Sequence, residues 1–276
     1  MATPVSRLSE IGGLYGGFIL DLWGVVHDGV KPFPDTLETL AQLKKAKRRV
    51  WLLSNAPRRA WTVAEKLSGM GIKEDMYDGL LTSGEAAWEG LRDKYLQKWG
   101  RRCYHLGPAR DTNLYDGLDV EVVSTPADAD FVLNSGVLDF ADPAEKYEPI
   151  LKACAEQNLP MLCANPDRFV HVEEKLVVCA GTLADMYEQM DGQATWFGKP
   201  HRGVYSHILK EMGGAKVLAV GDSMVTDIMG AAGAGIDSVL VTSGLHREEL
   251  ADPMNLQSFL GRYPCRPTYI AERFCW

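Results

Sequence analysis

No apolar run in this chain of 276 residues reaches the ~20 residues that a membrane-spanning helix needs. The N-terminal residues Met1–Ile11 lack the apolar centre of a secretory signal peptide. The six cysteines (Cys103, Cys154, Cys163, Cys179, Cys265 and Cys275) are scattered and form no Cys-x-x-Cys pair. A thiolate zinc site is therefore not expected, and the cysteines read as free thiols of a cytoplasmic protein. Basic excess is missing as well. The net charge of −8 argues against nucleic acid or an anionic membrane as partner. It would also repel an anionic substrate unless a metal or local cations offset it. Internal repeats, low-complexity tracts and long polar linkers are absent, and a hydrophobic content of 46% suits an ordinary globular protein of one or two domains. Oligomeric state stays open at this level, with a homodimer as one option.

What is present is a rhythm of short apolar runs alternating with helical patterns. Phe18–Leu20 reads as a buried strand that delivers Asp21 at its C-terminal end, and Gly24 and Gly29 then let the backbone turn. Pro34 opens a helical pattern with Leu37, Leu40 and Leu43 on one face, which closes in the basic run from Lys44 to Arg49. That run reads as a solvated helix end whose cations complement the dipole. Val50–Leu53 is a second strand, ending in Ser54 and Asn55, and Leu80–Ser83 a third with a polar end. From about residue 84 the rhythm restarts, with strand candidates at Cys103–Leu106, Val120–Val123, Phe131–Leu133 and Met161–Ala164. Strands alternating with helices predict an inserted α/β unit with its own sheet. The hinges are expected near Ser83–Gly84 and Gly181–Asp185, giving a first unit of residues 1–83 and 185–276 and an insert of 84–184. Thr195–Phe197 and Val217–Val220 then read as strands of the resumed first unit, and Pro253–Trp276 as a tail packed on it.

Polar residues sit where the strands of the first unit end: Asp21, then Ser54 with Asn55, then Asp222 with Asp227, while Lys199 stands at a helix start. In open α/β sheets ligands bind just outside the carboxyl ends of the strands. Asp21 there can act as a nucleophile and split phosphoryl transfer into two easier steps. Asp21 with Asp222 suits Mg²⁺, which takes one or two carboxylates along with water and phosphate oxygens. The Ser54 hydroxyl and the Lys199 ammonium can meet charge on a transferred phosphoryl group.

With those motifs in place, Asp21-Leu22-Trp23-Gly24-Val25, Leu52-Leu53-Ser54-Asn55, Gly198-Lys199-Pro200 and Gly221-Asp222-Ser223-Met224-Val225-Thr226-Asp227, the chain resembles the haloacid dehalogenase superfamily in its class IIA branch of nucleotide, aryl and sugar phosphatases. The position and size of the insert match that branch's cap, and Ala164-Asn165-Pro166-Asp167 and His27-Asp28 are similar to segments it carries. The resemblance implies a Rossmannoid, doubly wound parallel sheet with an inserted α/β cap that closes over the site, and a small phosphorylated metabolite as substrate. It also implies Asp21 as nucleophile, and Ser54 and Lys199 on phosphate. Mg²⁺ would be held by Asp21, Asp222 and the carbonyl of Trp23 with Asp227 close by, and Asn55 would orient the substrate-side loop. Asn165 and Asp167 are the cap's candidates for substrate contact, although a tight turn explains them as well.

One residue departs from that pattern. The family's phosphatases carry an acidic proton donor two residues after the nucleophile, where this chain has Trp23. Losing general acid–base catalysis costs ~10²–10⁴-fold. The chain is then a phosphatase favouring leaving groups that need little protonation, or one whose acid is Asp28, His27 or a residue of the insert. Altered chemistry, or a module that binds a phosphorylated ligand with little turnover, are the alternatives. Dehalogenation ranks low, because it needs no metal and has little use for Asp222 with Asp227.

Overall fold

Continuous apolar strands flanked by helices on both faces are what a buried parallel sheet requires, and the computed structural model, which describes residues 2–172 and 175–276, builds two such sheets. The strands of the first unit are β1 (Thr3–Pro4), β2 (Gly17–Asp21), β3 (Arg49–Ser54) and β4 (Gly79–Thr82). The second unit holds β5 (Arg102–Leu106), β6 (Glu121–Val123), β7 (Phe131–Asn134), β8 (Pro160–Cys163), β9 (Phe169–Val172), β10 (Lys175–Val178) and β11 (Gln193–Trp196). The first unit resumes with β12 (Val217–Gly221), β13 (Asp237–Val241) and β14 (Tyr269–Ala271).

The first sheet runs β1-β14-β13-β12-β2-β3-β4, with parallel pairing from β1 across to β3. Strand order reverses between β2 and β12: the chain steps outward one way through β3 and β4, and the other way through β13 and β14. A crevice opens at such a reversal outside the carboxyl ends of the two strands. Alternate residues of these strands feed opposite faces. Phe18, Leu20, Leu218 and Val220 join a core with Leu40, Leu43 and Val50, while Leu240 and Ile270 join one with Met224, Ile228 and Phe259.

The second unit carries a five-stranded parallel sheet in the order β11-β8-β7-β5-β6. It too is buried on both faces: Val132, Met161 and Cys163 pack with Leu151, Leu183 and Tyr187, and Phe131, Leu133 and Leu162 with Leu91, Cys103 and Leu114. The antiparallel pair β9–β10 is not among the strands that the sequence pattern predicts. Cys103, Cys154, Cys163 and Cys179 are buried free thiols. Among the described residues no helix is long and apolar enough to cross a membrane.

Several expectations shift. The Thr195–Phe197 strand does not rejoin the first sheet: β11 pairs with β8, so the second unit runs to Gly198 rather than ending near 184. Asn55–Ala60 also belongs to the second unit. Arg59 pairs with Glu85 at 2.8 Å, and Arg58 with the buried Asp111 at 3.2 Å. Local apolar patterning marks a strand but not which sheet it joins, and a hinge is set by such long-range pairs. Leu37 faces solvent, and the inner face of helix Thr36–Lys45 is Thr36, Thr39, Leu40 and Leu43. The tail is more than packing, since β14 adds a strand beside β13.

Strand β2 is the axis on which the first sheet depends. Leu20→Ala, at a fully buried position, is expected to lower stability by about 2–5 kcal/mol. Leu37→Ala, at an exposed one, should cost less than about 1 kcal/mol. Chemical denaturation checks both.

Candidate active site

Register places the site. Asp21 lies opposite Leu53, so Ser54 is one step beyond it on the neighbouring strand. Leu20 lies opposite Val220, which sets Gly221 level with Asp21 and Asp222 one step past. Asp21 and Asp222 therefore flank the reversal between β2 and β12, and Ser54 stands on the other side of Asp21. All three are buried.

Lys199 ties this edge together. Its Nζ donates to Asp21 Oδ1 and, at 2.7 Å, to Asp227 Oδ1, and it is only 3% exposed. Asp227 has its other oxygen engaged too, accepting from the Ser223 amide at 3.2 Å, while Ser223 Oγ accepts from the Thr226 amide. That reciprocal pair fixes the helical turn Met224–Ile228 and aims Asp227 at the lysine. Asp222 Oδ2 accepts from the Leu245 amide at 2.7 Å. The backbone must come very close here. A Cβ on Gly24, whose φ is +83°, would lie 1.9 Å from Asp222 Oδ2, and one on Gly221 would lie 2.1 Å from Asp227 Cβ.

Oxygens of Asp21, Asp222 and Asp227 all lie within 4.8 Å of one another. Burying such like charges is costly unless they are paired. Burial, reinforced by the charge of Asp227, pushes the Asp21 carboxyl up to about 7 despite Lys199. Asp222 is likewise raised, by burial and then by Asp21 and Asp227. Burial works against the Lys199 ammonium, but Asp21 and Asp227 outweigh it and hold it well above its ordinary value. When all three carboxylates ionise, this ammonium leaves the cluster with excess negative charge. A hard divalent cation fits that donor set: oxygen ligands, buried, with uncompensated charge.

The loop after β2 clarifies the two candidate proton donors. His27 is buried, and its Nδ1 accepts from the Gly29 amide at 2.9 Å. Burial, then the charge of Lys66, lowers its pKa to about 4, so the imidazole is neutral at pH 7 and has no readily given proton. Asp28 accepts from the amides of Lys31 at 2.8 Å and Val30 at 2.9 Å. These bonds hold its carboxyl below the usual range, and it is an ionised turn residue. Trp23 is 38% exposed, edge-on to His27 with ring centroids 5.9 Å apart. Lys66 Nζ lies 5.8 Å from its ring centroid. Neither Lys66 nor the Gly244–Leu245 turn stood out in the sequence: a lysine on a surface helix carries no signal, whereas Ser243-Gly244 after β13 is a turn dipeptide.

The remaining predicted residues belong to the second unit. Asn55 Nδ2 donates to Asp167 Oδ1 at 2.8 Å, and Asn165 Oδ1 accepts from the Asp167 amide at 3.0 Å. A Cβ on Gly198, at φ +110°, would lie 2.6 Å from Asn55 Oδ1. Asn55 and Gly198, the residues at which the chain enters and leaves the second unit, thus pack on each other within it. Asn165 spends its bond on closing a local turn, and Asp167 spends its carboxylate on Asn55.

A carboxyl raised by burial binds a proton in the folded state that the unfolded state has released. Stability is then fully present below the ordinary carboxylate pKa of about 4 and falls as pH rises towards about 7. In chelator, the melting temperature should drop across that window. A divalent cation should flatten the drop, adding about 2–3 kcal/mol at a hundredfold excess over Kd, and Asp222→Asn should remove most of that gain. Thermal scans over pH with and without cation check this.

Residues 18–121 match the model of the haloacid dehalogenase-like hydrolases, and residues 196–275 match a HAD-hydrolase-like model. A haloacid dehalogenase-like hydrolase from Brucella suis 1330 is 31% identical, with 98% of this chain and 99% of that one covered and a TM-score of 0.85. The 4-nitrophenylphosphatase of Thermotoga maritima is 25% identical, with 94% of each chain covered and a TM-score of 0.72. The 5′-nucleotidase YutF of Bacillus subtilis (strain 168) is 24% identical over 250 residues, covering 87% of this chain and 92% of the relative. The likeness to the Brucella suis protein runs over nearly the whole chain, and the chain belongs to the haloacid dehalogenase-like hydrolase family.

Proposed function

We propose that this hydrolase is a magnesium-dependent phosphatase that cleaves a small phosphate monoester through an aspartyl-phosphate on Asp21. The observation that carries the proposal is the buried bridge from Asp21 through Lys199 to Asp227, with Asp222 beside it. Asp21 attacks phosphorus, and the bond from phosphorus to the leaving oxygen breaks with its electron pair on that oxygen. Water then attacks the aspartyl-phosphate, and the bond between phosphorus and the Asp21 oxygen breaks with its electron pair on that oxygen; the water's excess proton passes to bulk solvent, returning carboxylate and inorganic phosphate. Lys199 orients Asp21 and, with the Ser54 hydroxyl, binds the phosphoryl oxygens. Asp227 works through Lys199. Magnesium, held by Asp21, Asp222 and the Trp23 carbonyl, would supply the positive charge that keeps the carboxylates ionised and offsets the phosphoryl charge.

The leaving oxygen is the weak point of this constellation. Trp23 carries no transferable proton, His27 is neutral and Asp28 is ionised. A leaving group that departs as a stabilised anion suits the site best, which ranks aryl above alkyl monoesters. Both kinds occur among the relatives, one named a 4-nitrophenylphosphatase and one a 5′-nucleotidase. The net charge of −8 argues against nucleic acid as partner.

With magnesium, phenyl phosphate should be hydrolysed and a simple alkyl phosphate about a hundredfold more slowly. Asp21→Asn should lower both by at least about a thousandfold. Trp23→Asp, which keeps the backbone carbonyl and restores an acid, should raise the alkyl rate by about tenfold or more. Steady-state phosphate release reads all of these. Equal native rates on the two esters would place a proton donor elsewhere, and no release from either would end the phosphatase reading.

A further inference from the structure

We infer that Tyr205 is a positioning residue of the reaction: its hydroxyl fixes the backbone of Asp227 and, through Asp227, the place of the Lys199 ammonium. The inference rests on the phosphatase reading above and adds to it a residue that lies outside the four motifs.

Tyr205 stands on helix Arg202–Glu211, shortly after Lys199. A tyrosine usually keeps its hydroxyl at a surface, where water serves it. This one is buried together with its ring, at 1% exposure, and a buried hydroxyl needs a partner inside the protein. The partner is the Asp227 carbonyl, which accepts from Tyr205 Oη at 3.3 Å. The facing helix is cut to admit the phenol. Gly230, within helix Met229–Ala234, has no Cβ, and one built there would fall on the Tyr205 hydroxyl and ring. A glycine inside a helix gives up helix propensity, so the close approach of Tyr205 is kept at a cost. The charges of Asp227, Lys199 and Asp21 all bear on this phenol, which puts it within reach of the whole bridge.

Asp227 sits in a turn that needs holding. Met224–Ile228 is wound as a π turn, with the Met229 amide on the Met224 carbonyl, a form that is rare and concentrated at functional sites. Every polar group of Asp227 is engaged there. Its amide donates to the Ser223 carbonyl at 3.1 Å. One carboxylate oxygen accepts from Lys199 at 2.7 Å and the other from the Ser223 amide at 3.2 Å, and the carbonyl takes the Tyr205 hydroxyl. The segment from Lys199 to Tyr205 therefore grips Asp227 twice, by its carboxylate and by its carbonyl. Lys199 bonds Asp21 as well and meets the phosphoryl oxygens during transfer, so its anchor on Asp227 sets where the ammonium points. Loosening that anchor costs more in the transition state than in substrate binding, because charge develops only as the phosphoryl group moves.

The test is steady-state kinetics of the full-length protein with magnesium and phenyl phosphate, alongside thermal unfolding, for Tyr205→Phe, Asp227→Ala and the double variant. Tyr205→Phe removes one oxygen and keeps the ring. It should lower kcat about three- to tenfold with KM within about twofold of native, and lower the melting temperature by about 2–4 °C. Asp227→Ala keeps the backbone carbonyl but removes the anchor of the lysine. In that background Tyr205→Phe should still lower the melting temperature, yet change kcat by less than about 1.5-fold. A loss of melting temperature with native kcat, or the same kcat factor in both backgrounds, makes the tyrosine merely structural and overturns the inference while the phosphatase reading stands. If Asp227→Ala is unfolded or inactive, Tyr205→Phe decides alone, and a kcat within about 1.5-fold of native overturns the inference. If the native protein releases no phosphate from phenyl phosphate, the phosphatase reading fails and the positioning role with it.

Discussion

Three buried carboxylates share one edge of a parallel sheet, and the ammonium of Lys199 bonds two of them. Much of the surrounding structure follows from that arrangement. Desolvated like charges repel strongly where the effective dielectric is low, so the edge needs an internal cation and still retains excess negative charge. The same burial that strains the cluster suits it to phosphoryl transfer. A nucleophilic carboxylate, a fixed ammonium and a donor set for a divalent cation act most strongly where water is excluded.

The sheet supplies the precision. Because β2 and β12 lie side by side with their carboxyl ends level, Asp21 and Asp222 come from different parts of the chain yet meet at one edge. Asp222 and Asp227 sit as close to the backbone as they do because positions 24 and 221 are glycine, where a Cβ would collide with one or the other. Asp227 shows a division of labour. One oxygen holds the lysine and the other holds its own turn through the Ser223 amide, so it shapes the site through Lys199.

Much of this was legible in the sequence because strand ends are local signals. Asp21, Ser54 and Asp222 each follow an apolar run, and such a run ending in a polar residue points to the edge of a parallel sheet. Lys199 was legible only through its motif, and nothing local announces that its ammonium spans Asp21 and Asp227. The misplaced strand Thr195–Phe197 shows the complementary limit, since four residues of β11 do not encode whether β8 or a strand of the first sheet will pair with them. The segment Asn55–Ala60 went to the second unit for a similar reason: its attachments to Asp111, Asp167 and Glu85 are distant in sequence. His27 and Asp28 looked like acids by residue type, but protonation is set by surroundings. One is buried against a backbone amide and the other accepts two of them. Lys66 gave no signal at all: it is an exposed lysine in the fold as well, and only folding brings it near Trp23.

A phosphoryl group carried on Asp21 is an acyl phosphate, which a hydride donor can trap. The most direct measurement is to mix the native protein with magnesium and an aryl phosphate, quench during turnover, reduce with borohydride and sequence the peptides by mass spectrometry. An aspartyl-phosphate is reduced to homoserine, so homoserine is expected at position 21, dependent on substrate and absent when substrate is omitted. Rapid phosphate release with Asp21 unmodified under the same quench, or with the modification at another residue, would contradict it.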